Sequence, residues 1–375
     1  MEHILERLVA FRTVTDDKQS NHEALDYIAS FLADRGMHIE RFDSNDCESL
    51  VATTRPGVKT PKVLLAAHLD VVPAPDESFV LRKESGRYYG RGTLDMKFAL
   101  AAYLQFVDDV QDQLEDYDFG IMVTTDEEHG GMHGAAELVK EGYLPQVCIM
   151  PDGGDNWQVQ LSSKGFYYLR LKAYGKPAHG SRPWLGTNAI QPIMDTLYDI
   201  RELFGESKPE NSTLNIGMIH GGAAINQVAD YAEASIDIRV HTEPEKQALL
   251  AKISQICQKR GVETEVILDG AATHFKLEHP LIAPFARHIT DVTGVAVEGS
   301  HTLGSNDARF FAAHDVPCIS VYPAGAGHHG PEEWLSEEGF HQFKEILDRY
   351  MDDVAKTAGR TATPVASPIT AGNPL

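Results

Sequence analysis

The chain has 375 residues, of which 42% are hydrophobic, and its 55 acidic and 33 basic side chains give a formal net charge of −22. This length suits two packed domains of about 100–200 residues each, and the acidic balance argues against a nucleic-acid-binding surface, which needs basic patches. The longest apolar runs are too short to span a bilayer, so no membrane partner is expected.

The N-terminus and the cysteines indicate a cytoplasmic protein. Residues 1–11 carry acids among their apolar positions and predict an amphipathic helix rather than a secretory signal. Cys47, Cys148, Cys257 and Cys318 are widely spaced and form no C-x-x-C pair. We therefore expect reduced thiols, with neither a disulfide framework nor a thiolate zinc site.

Helical and strand patterns alternate from residue 20 to about residue 160. Residues 21–36 have helical spacing and end at a glycine, and 62–72 read as a buried strand. A helix is predicted over 95–110 and another strand over 118–125. This alternation predicts an α/β sheet with helices on both faces.

The pattern changes near residue 165 to the order strand, helix, strand, strand, helix, strand. The predicted strands are 165–175, 212–222, 231–242 and 262–270, and the helices are 188–204 and 243–261. This order matches a ferredoxin-like split βαβ unit.

The α/β pattern returns from about residue 284, with a helix over 283–294, a strand over 317–324 and a helix over 336–356. The last residues, 357–375, are rich in Pro, Ala, Thr and Gly and predict a disordered tail.

The simplest architecture is one α/β domain interrupted by a second domain. We predict that residues 1–164 and 283–356 form an α/β domain with a central, mostly parallel sheet. Residues 165–282 would form an inserted α+β domain of the ferredoxin-like βαββαβ type.

Acidic and histidine side chains stand at the predicted strand ends. Ligands of an open α/β sheet bind outside the carboxyl ends of its strands. A single polar residue there is usually a solvated loop residue, but five or six at one edge concentrate negative charge that a cation makes tolerable. The sequence therefore predicts a metal site. Its residues are His68, Glu127, Glu128, Asp152 and His329 at strand exits, with Asp95 at a glycine-rich helix start.

Five sequence motifs indicate the protein family. "HLDVVP", "GRGTLDMK", "TTDEEHGG", "MPDGG" and "HHGPEEW" resemble, in order and spacing, the signatures of the M20 metallopeptidase family. That family includes dipeptidases, glutamate carboxypeptidases, aminoacylases, acetylornithine deacetylase and succinyl-diaminopimelate desuccinylase. The resemblance covers nearly the whole chain except the tail. It implies that the interrupted α/β domain is catalytic and that the inserted domain serves dimerisation or acts as a lid.

The resemblance also implies two divalent metal ions, usually zinc. His68 and Asp152 would hold one ion, Glu128 and His329 the other, and Asp95 would bridge both. This nitrogen and oxygen donor set also suits Co²⁺ or Mn²⁺.

The resemblance also implies roles for two further carboxylates. Asp70 would fix the tautomer and orientation of His68 without binding metal. Glu127 would be the general base, which accepts a proton from the attacking water and passes it to the leaving amine.

The remaining expectations concern the substrate. His179 matches a lid-domain histidine that completes the oxyanion site, and in dimeric relatives this histidine reaches the partner's active site. The resemblance thus implies a homodimer joined through the inserted domain. Asn226 and Arg239 resemble positions that bind a substrate carboxylate in the family. Ser305 and Asn306 lie where the family has a loop that contacts the substrate.

Three alternatives to a metal-dependent hydrolase are weaker. "GAGHHG" at 325–330 fits G-x-G-x-x-G, but no helix opens directly from its glycines, as a dinucleotide site requires. Neither "HGSRP" nor "LGSND" is the G-x-S-x-G elbow of a serine hydrolase. A non-catalytic binding protein on this fold would be expected to lack some metal-ligating residues or the general base. All of these residues are present in this chain.

The resemblance implies that the substrate is a small peptide or an N-acyl amino acid. Asp152, where several family members carry Glu, favours a dipeptidase or another exopeptidase, which is the first hypothesis. The absence of a long lid insertion favours an N-acyl amino-acid deacylase of the acetylornithine deacetylase or succinyl-diaminopimelate desuccinylase kind.

Overall fold

The computed structural model describes residues 1–357. Except for Thr357, the predicted disordered tail therefore lies outside the described residues. The described chain contains nine α-helices, which are α1 (Glu2–Ala10), α2 (Lys18–Ala33), α3 (Lys97–Val110), α4 (Ala135–Lys140), α5 (Ile190–Arg201), α6 (Glu243–Arg260), α7 (Ala283–Thr293), α8 (Ala308–Ala312) and α9 (Glu337–Tyr350).

Besides four short 3₁₀ segments and one π-helical turn, residues 1–357 also contain seventeen strands. They are β1 (His38–Ser44), β2 (Cys47–Thr53), β3 (Val63–His68), β4 (Arg82–Glu84), β5 (Arg87–Tyr89), β6 (Phe119–Thr124), β7 (Val147–Ile149), β8 (Val159–Ser163), β9 (Gly165–Tyr174), β10 (Thr213–Gly221), β11 (Tyr231–Val240), β12 (Glu263–Gly270), β13 (Thr273–His274), β14 (Gly299–Thr302), β15 (Cys318–Ile319), β16 (Gly325–Ala326) and β17 (Trp334–Ser336).

The central sheet has six strands in the order β1-β2-β6-β3-β7-β15. The strands β6, β3, β7 and β15 run parallel to one another, whereas β1 and β2 are antiparallel. Every residue of β3 and β6 is buried, as expected for parallel strands with both faces covered. Helix α3 is buried nearly all round and packs between β3 and the helices α1 and α9.

The antiparallel edge was not predicted from the sequence. β1 and β2 form a hairpin in which Ser44 pairs with Cys47, so Asn45 and Asp46 are its two loop residues. Both have positive φ angles, 53° and 61°, as a type I′ turn requires, and Asn and Asp tolerate that conformation. The central sheet is therefore mixed, with its parallel part confined to four strands.

A second sheet has the order β10-β11-β9-β12, with all neighbours antiparallel. Helices α5 and α6 lie against it, and the observed order is the strand, helix, strand, strand, helix, strand succession predicted for this region. Alternate residues of β11, including Ile236 and Ile238, pack against Ile193 of α5 and Ile253 of α6. This part of the chain thus has a hydrophobic core of its own.

The described residues also form two smaller sheets. One has the order β13-β8-β14, and the other has the order β16-β17-β5-β4. In the latter, Trp334 pairs with Tyr89 and Leu335 with Tyr88, which brings together segments more than 240 residues apart in the chain. The loop before α3 therefore lies beside the loop before β17.

Other differences from the predicted elements are local. Helix α2 begins at Lys18, before the predicted start at 21, because the Asp17 side chain caps it by accepting a hydrogen bond from the Ser20 amide. The predicted strand 317–324 pairs only over Cys318–Ile319. The four cysteines are free thiols, all of them buried, as expected. Within residues 1–357, no helix is long and apolar enough to cross a membrane.

Candidate metal centre

The predicted metal ligands lie at one edge of the central sheet. β3 ends at His68, and β6 is followed by a 3₁₀ turn, Glu127–His129. Asp152 comes three residues after the end of β7. Because these strands are parallel, their carboxyl ends meet at the same edge. Asp95 stands just before α3.

The structure brings the six predicted residues together as two groups of three. Within each group, one potential ligand atom of each residue lies within 4.8 Å of the others. The two groups are His68, Glu127 and Asp152 in one, and Asp95, Glu128 and His329 in the other.

Asp95 connects the two groups. Its Oδ1 lies 3.1 Å from Nε2 of His68. Its Oδ2 lies 3.1 Å from Nε2 of His329, and the same nitrogen is 3.1 Å from Oε2 of Glu128. Each oxygen of Asp95 therefore faces a different group, which is the geometry of a carboxylate that can bridge two cations.

The electrostatics of the centre fit a cation. Burial and the nearby Asp152 carboxylate raise the pKa of Glu127 well above its ordinary value. Burial and the charge of Asp95 raise the pKa of Asp152 to about 6. Among the described residues, Glu128 Oε1 and Asp152 Oδ2 are buried without a hydrogen-bond partner. Such unpaired buried oxygens are costly unless a ligand reaches them, so this donor set fits divalent ions.

The histidines and Asp95 stabilise one another's charged forms. Burial lowers the pKa of His68, but the nearby Asp70 and the hydrogen bond with Asp95 outweigh this effect, and the pKa is raised well above its usual value. Burial likewise opposes ionisation of Asp95, but hydrogen bonds with His329 and His68 hold its pKa well below the ordinary range. The bonds with Asp95 and Glu128 raise the pKa of His329 to about 10.

Asp70 contacts His68 through its main chain. Nδ1 of His68 lies 2.9 Å from the main-chain oxygen of Asp70, whereas the nearest carboxylate oxygen is 3.6 Å away. The carboxylate instead accepts the amides of Glu127 and Glu128, both at 3.2 Å, and the Thr15 hydroxyl at 2.9 Å. Asp70 thus orients the histidine through its backbone and holds the acidic turn through its side chain.

A cavity of about 590 Å³ opens onto the centre. Its walls include Glu127, Asp152 and the loop with Ser305 and Asn306. The Asn306 side-chain amide donates to the main-chain oxygen of Asp152. The two predicted substrate-loop residues are therefore at the cavity.

The other three predicted substrate residues do not line this cavity within the described chain. His179 is exposed, and its Nδ1 lies 2.8 Å from the Ser181 hydroxyl. Asn226 is also exposed and accepts the Gly180 amide through its main-chain oxygen, so it lies beside His179. Arg239 is bound by both oxygens of Asp237, at 2.8 and 3.1 Å.

Sequence reasoning missed three residues at the centre. The Tyr322 hydroxyl lies 2.8 Å from Asp152 Oδ1 and 3.2 Å from Asp95 Oδ1, and its position at the exit of the predicted strand 317–324 was an available signal. Asp307 is buried behind the acidic turn, where burial raises its pKa to about 7 even though Arg309 opposes this shift. Glu333 is buried beside the loop that carries Asp95.

Comparisons with known proteins agree with this geometry. The family model for peptidase family M20/M25/M40 matches residues 64–353. Succinyl-diaminopimelate desuccinylase of Thiobacillus denitrificans is 26% identical over 368 residues, which cover 92% of either chain. The same enzyme of Acidovorax ebreus is 26% identical over 387 residues, which cover 95% of this chain and 98% of the relative.

Solved structures share the fold. A tripeptidase from Staphylococcus aureus superposes with a TM-score of 0.74 at 20% identity, covering 94% of this chain and 97% of its own. Aminopeptidase PepT from Bacillus cereus gives 0.72 at 18% identity, with coverages of 95% and 98%. An M20 family metallo-carboxypeptidase from Sulfolobus solfataricus gives 0.72 at 16% identity, with coverages of 93% and 98%.

Proposed function

The chain belongs to peptidase family M20/M25/M40 and is a metal-dependent hydrolase, and from this premise we propose that it cleaves an amide bond in a small peptide. The observation that carries the proposal is the convergence of two three-residue ligand groups on one cavity. A volume of about 590 Å³ lies in the range of small-molecule sites and suits a short peptide better than a folded protein.

Two divalent ions would occupy the centre. His68 and Asp152 would hold one ion and Glu128 and His329 the other, with Asp95 between them. The bound ions would polarise the scissile carbonyl and make water a stronger nucleophile at neutral pH. Zinc fits this nitrogen and oxygen donor set, as do cobalt and manganese.

Glu127 would transfer the protons. Its side chain belongs to the first ligand group and also lines the cavity, so it can face both a water molecule and the substrate. Burial raises its pKa above the ordinary value, which makes its carboxylate a stronger proton acceptor. Glu127 would accept the proton of the attacking water and deliver it to the nitrogen of the leaving amine.

Ser305 and Asn306 line the same cavity and would contact the substrate there. The Ser305 hydroxyl is buried and has no hydrogen-bond partner among the described residues, so it is free to donate to a substrate oxygen.

The other substrate contacts would come from a second copy of the chain. His179 and Asn226 lie together on the exposed surface, away from the cavity walls of their own chain. β10 is one of the two edge strands of its sheet and exposes Ile216, Met218 and Ile219. An exposed apolar edge strand favours pairing with another chain. We therefore include in the proposal a homodimer joined through residues 165–282, with His179 stabilising the oxyanion and Arg239 binding a substrate carboxylate.

A second candidate substrate class is the N-acyl amino acids. The curated relatives are named succinyl-diaminopimelate desuccinylases, which supports it, whereas the solved structures named above are peptidases. The chemistry is the same amide hydrolysis, so only the groups on either side of the bond differ.

A substrate panel on metal-loaded enzyme tests the proposal. Protein reconstituted with Zn²⁺, Co²⁺ or Mn²⁺ is assayed with dipeptides and tripeptides and with N-acetyl, N-succinyl and N-formyl amino acids. Release of amino acids from the peptides, abolished by a chelator and restored by added metal, is the expected result. Cleavage confined to the N-acyl series would select the second class. Full activity of a protein that elemental analysis shows to be free of metal would overturn the metal centre.

A further inference from the structure

Glu333 is a buried carboxylate without a role in the proposed chemistry. Only 3% of the residue is exposed, although its neighbour Glu332 in the same motif lies at the surface. A buried charge is unfavourable unless several donors surround it.

Both oxygens of Glu333 are fully used. Oε1 accepts the backbone amides of Leu94 at 2.8 Å and Asp95 at 3.1 Å. Oε2 accepts the backbone amide of Gly92 at 2.9 Å and Nη1 of Arg91 at 2.8 Å. One carboxylate therefore holds the loop that presents Asp95 to the centre.

Arg91 extends this contact to the other side of the centre. Its Nη2 donates to the main-chain oxygen of His329 at 3.3 Å and to that of Gly330 at 3.0 Å. His329 has a φ angle of 61°, in the left-handed region that non-glycine residues adopt only when their surroundings hold them there. The guanidinium supplies part of that restraint.

Strand pairing explains why Glu333 reaches this loop. β5 ends at Tyr89, which pairs with Trp334, the first residue of β17. The amide of Gly90 continues the pairing by donating to the main-chain oxygen of Glu333 at 3.2 Å. Sheet geometry, rather than flexible loops, therefore fixes the position of the carboxylate relative to Asp95.

We infer that Glu333 and Arg91 are a positioning pair that sets the spacing between Asp95 and His329 and so determines how tightly the ion at Asp95, Glu128 and His329 is held. The inference rests on the proposed metal centre. The ion at His68 and Asp152 shares Asp95 but depends on the pair less, because His68 and Asp152 have no hydrogen bond to Glu333 or Arg91 among the described residues, whereas His329 does.

The substitution Glu333→Gln tests the inference, with Glu332→Gln as the matched control. An amide keeps one acceptor oxygen but turns N–H groups toward donors, so at least two of the four bonds are lost. Partners that orient metal ligands are typically worth about 10–100-fold in metal affinity. At buffered free Zn²⁺, Glu333→Gln should lose affinity for one ion by that factor and keep the other, while Glu332→Gln binds both normally.

A double substitution identifies the affected ion. Glu128→Gln should remove the ion at Asp95, Glu128 and His329, and adding Glu333→Gln should then cause little further loss, because both changes act on one site. A double variant that binds no zinc would mean that Glu333 supports the other ion, which contradicts the inference.

Thermal unfolding of the metal-free proteins separates positioning from general stability. A merely structural Glu333 would lower the unfolding temperature and reduce both zinc affinities together. If Glu333→Gln does not fold, the substitution Arg91→Lys is used to test the inference. It keeps the positive charge beside Glu333, but a single amine cannot also reach the main-chain oxygens of His329 and Gly330, so the same selective loss is expected.

The outcomes distinguish this inference from the proposed function. Two tightly bound zinc ions in the wild type and also in Glu333→Gln, or in Arg91→Lys if that variant decides, would overturn the positioning role alone. Failure of the wild type to bind two ions would overturn the metal centre, and the inference with it.

Discussion

Glu127 and Glu128 are adjacent in the chain but face different groups of ligands. Glu127 lies with His68 and Asp152, and Glu128 lies with Asp95 and His329. The 3₁₀ turn that begins at Glu127 makes this possible, since successive side chains there point in different directions. The geometry therefore divides two chemically identical carboxylates between the two groups, and only Glu127 also lines the cavity.

This division leads to the first prediction. Glu127→Gln should keep its zinc content and lower kcat by about 10²–10⁴-fold, because the amide cannot accept the proton of the attacking water. Glu128→Gln should lose one zinc ion. Metal content by elemental analysis and steady-state kinetics on the same samples measure both effects. An active Glu127→Gln enzyme would place the general base elsewhere.

Tyr322 gives a second prediction at the same scale. Its hydroxyl is the hydrogen-bond partner of Asp152 Oδ1, while Oδ2 of the same carboxylate has none among residues 1–357. In Tyr322→Phe, Asp152 loses this restraint, and zinc affinity should fall by about 10–100-fold. Competition with a chromophoric chelator measures the affinity.

The control for Tyr322→Phe is Tyr103→Phe. The Tyr103 hydroxyl is also buried but bonds the main-chain oxygen of Ile149 at 3.1 Å and contacts no metal-centre side chain. Its removal should lower the free energy of unfolding by about 1 kcal/mol without changing zinc affinity. Equal zinc affinities in both tyrosine variants would show that Tyr322 does not support the centre.

At the scale of the elements, helix α2 shows how a single side chain sets a boundary. Asp17 accepts the Ser20 amide at 3.1 Å and the Ser20 hydroxyl at 2.9 Å. Asp17→Ala should lower the free energy of unfolding by about 1 kcal/mol in urea titrations, as expected for loss of an N-cap. Asp16→Ala is the control, because Asp16 is highly exposed and its substitution should change stability by less than about 0.5 kcal/mol. Equal losses would exclude the cap as the cause.

The elements that carry the metal ligands could be predicted because their signal is local. Strands β3 and β6 are continuous apolar runs, and His68 and Glu127 follow from where those runs end. Parallel strands bring such ends together, so the composition of the centre could be inferred without coordinates.

The residues that support those ligands could not be predicted in this way. Glu333 acts on a loop 238 or more residues away, through pairing of two three-residue strands that have too few residues for a periodic pattern. The carboxylate of Asp70 accepts hydrogen bonds from the amides of the acidic turn and lies 3.6 Å from His68. Which of these groups it bonds depends on distances in the folded structure. Long-range hydrogen bonds of this kind leave no periodicity in the sequence.

At the scale of the whole molecule, the cavity is lined by no described residue of 165–282. The described residues that line it do not include His179, which is exposed beside Asn226. The same region exposes Met194 and Tyr198 on α5 and several apolar side chains on β10. Exposed apolar surface favours contact with another protein chain. A second copy of the chain would cover these side chains and, in the proposed dimer, bring its His179 to the cavity.

The last prediction tests whether His179 acts across that dimer. An oxyanion donor is typically worth about 2.7–4 kcal/mol, so His179→Ala should lower kcat by about 10²–10³-fold. Mixing His179→Ala with Glu127→Gln, each nearly inactive, and allowing subunit exchange gives heterodimers. If His179 acts in the partner's cavity, one site of each heterodimer contains both wild-type groups, and activity should recover. If it acts within its own chain, every site lacks one group. No recovery despite subunit exchange proven by mass spectrometry, or a fully active monomer in sedimentation experiments, would contradict the role across the dimer.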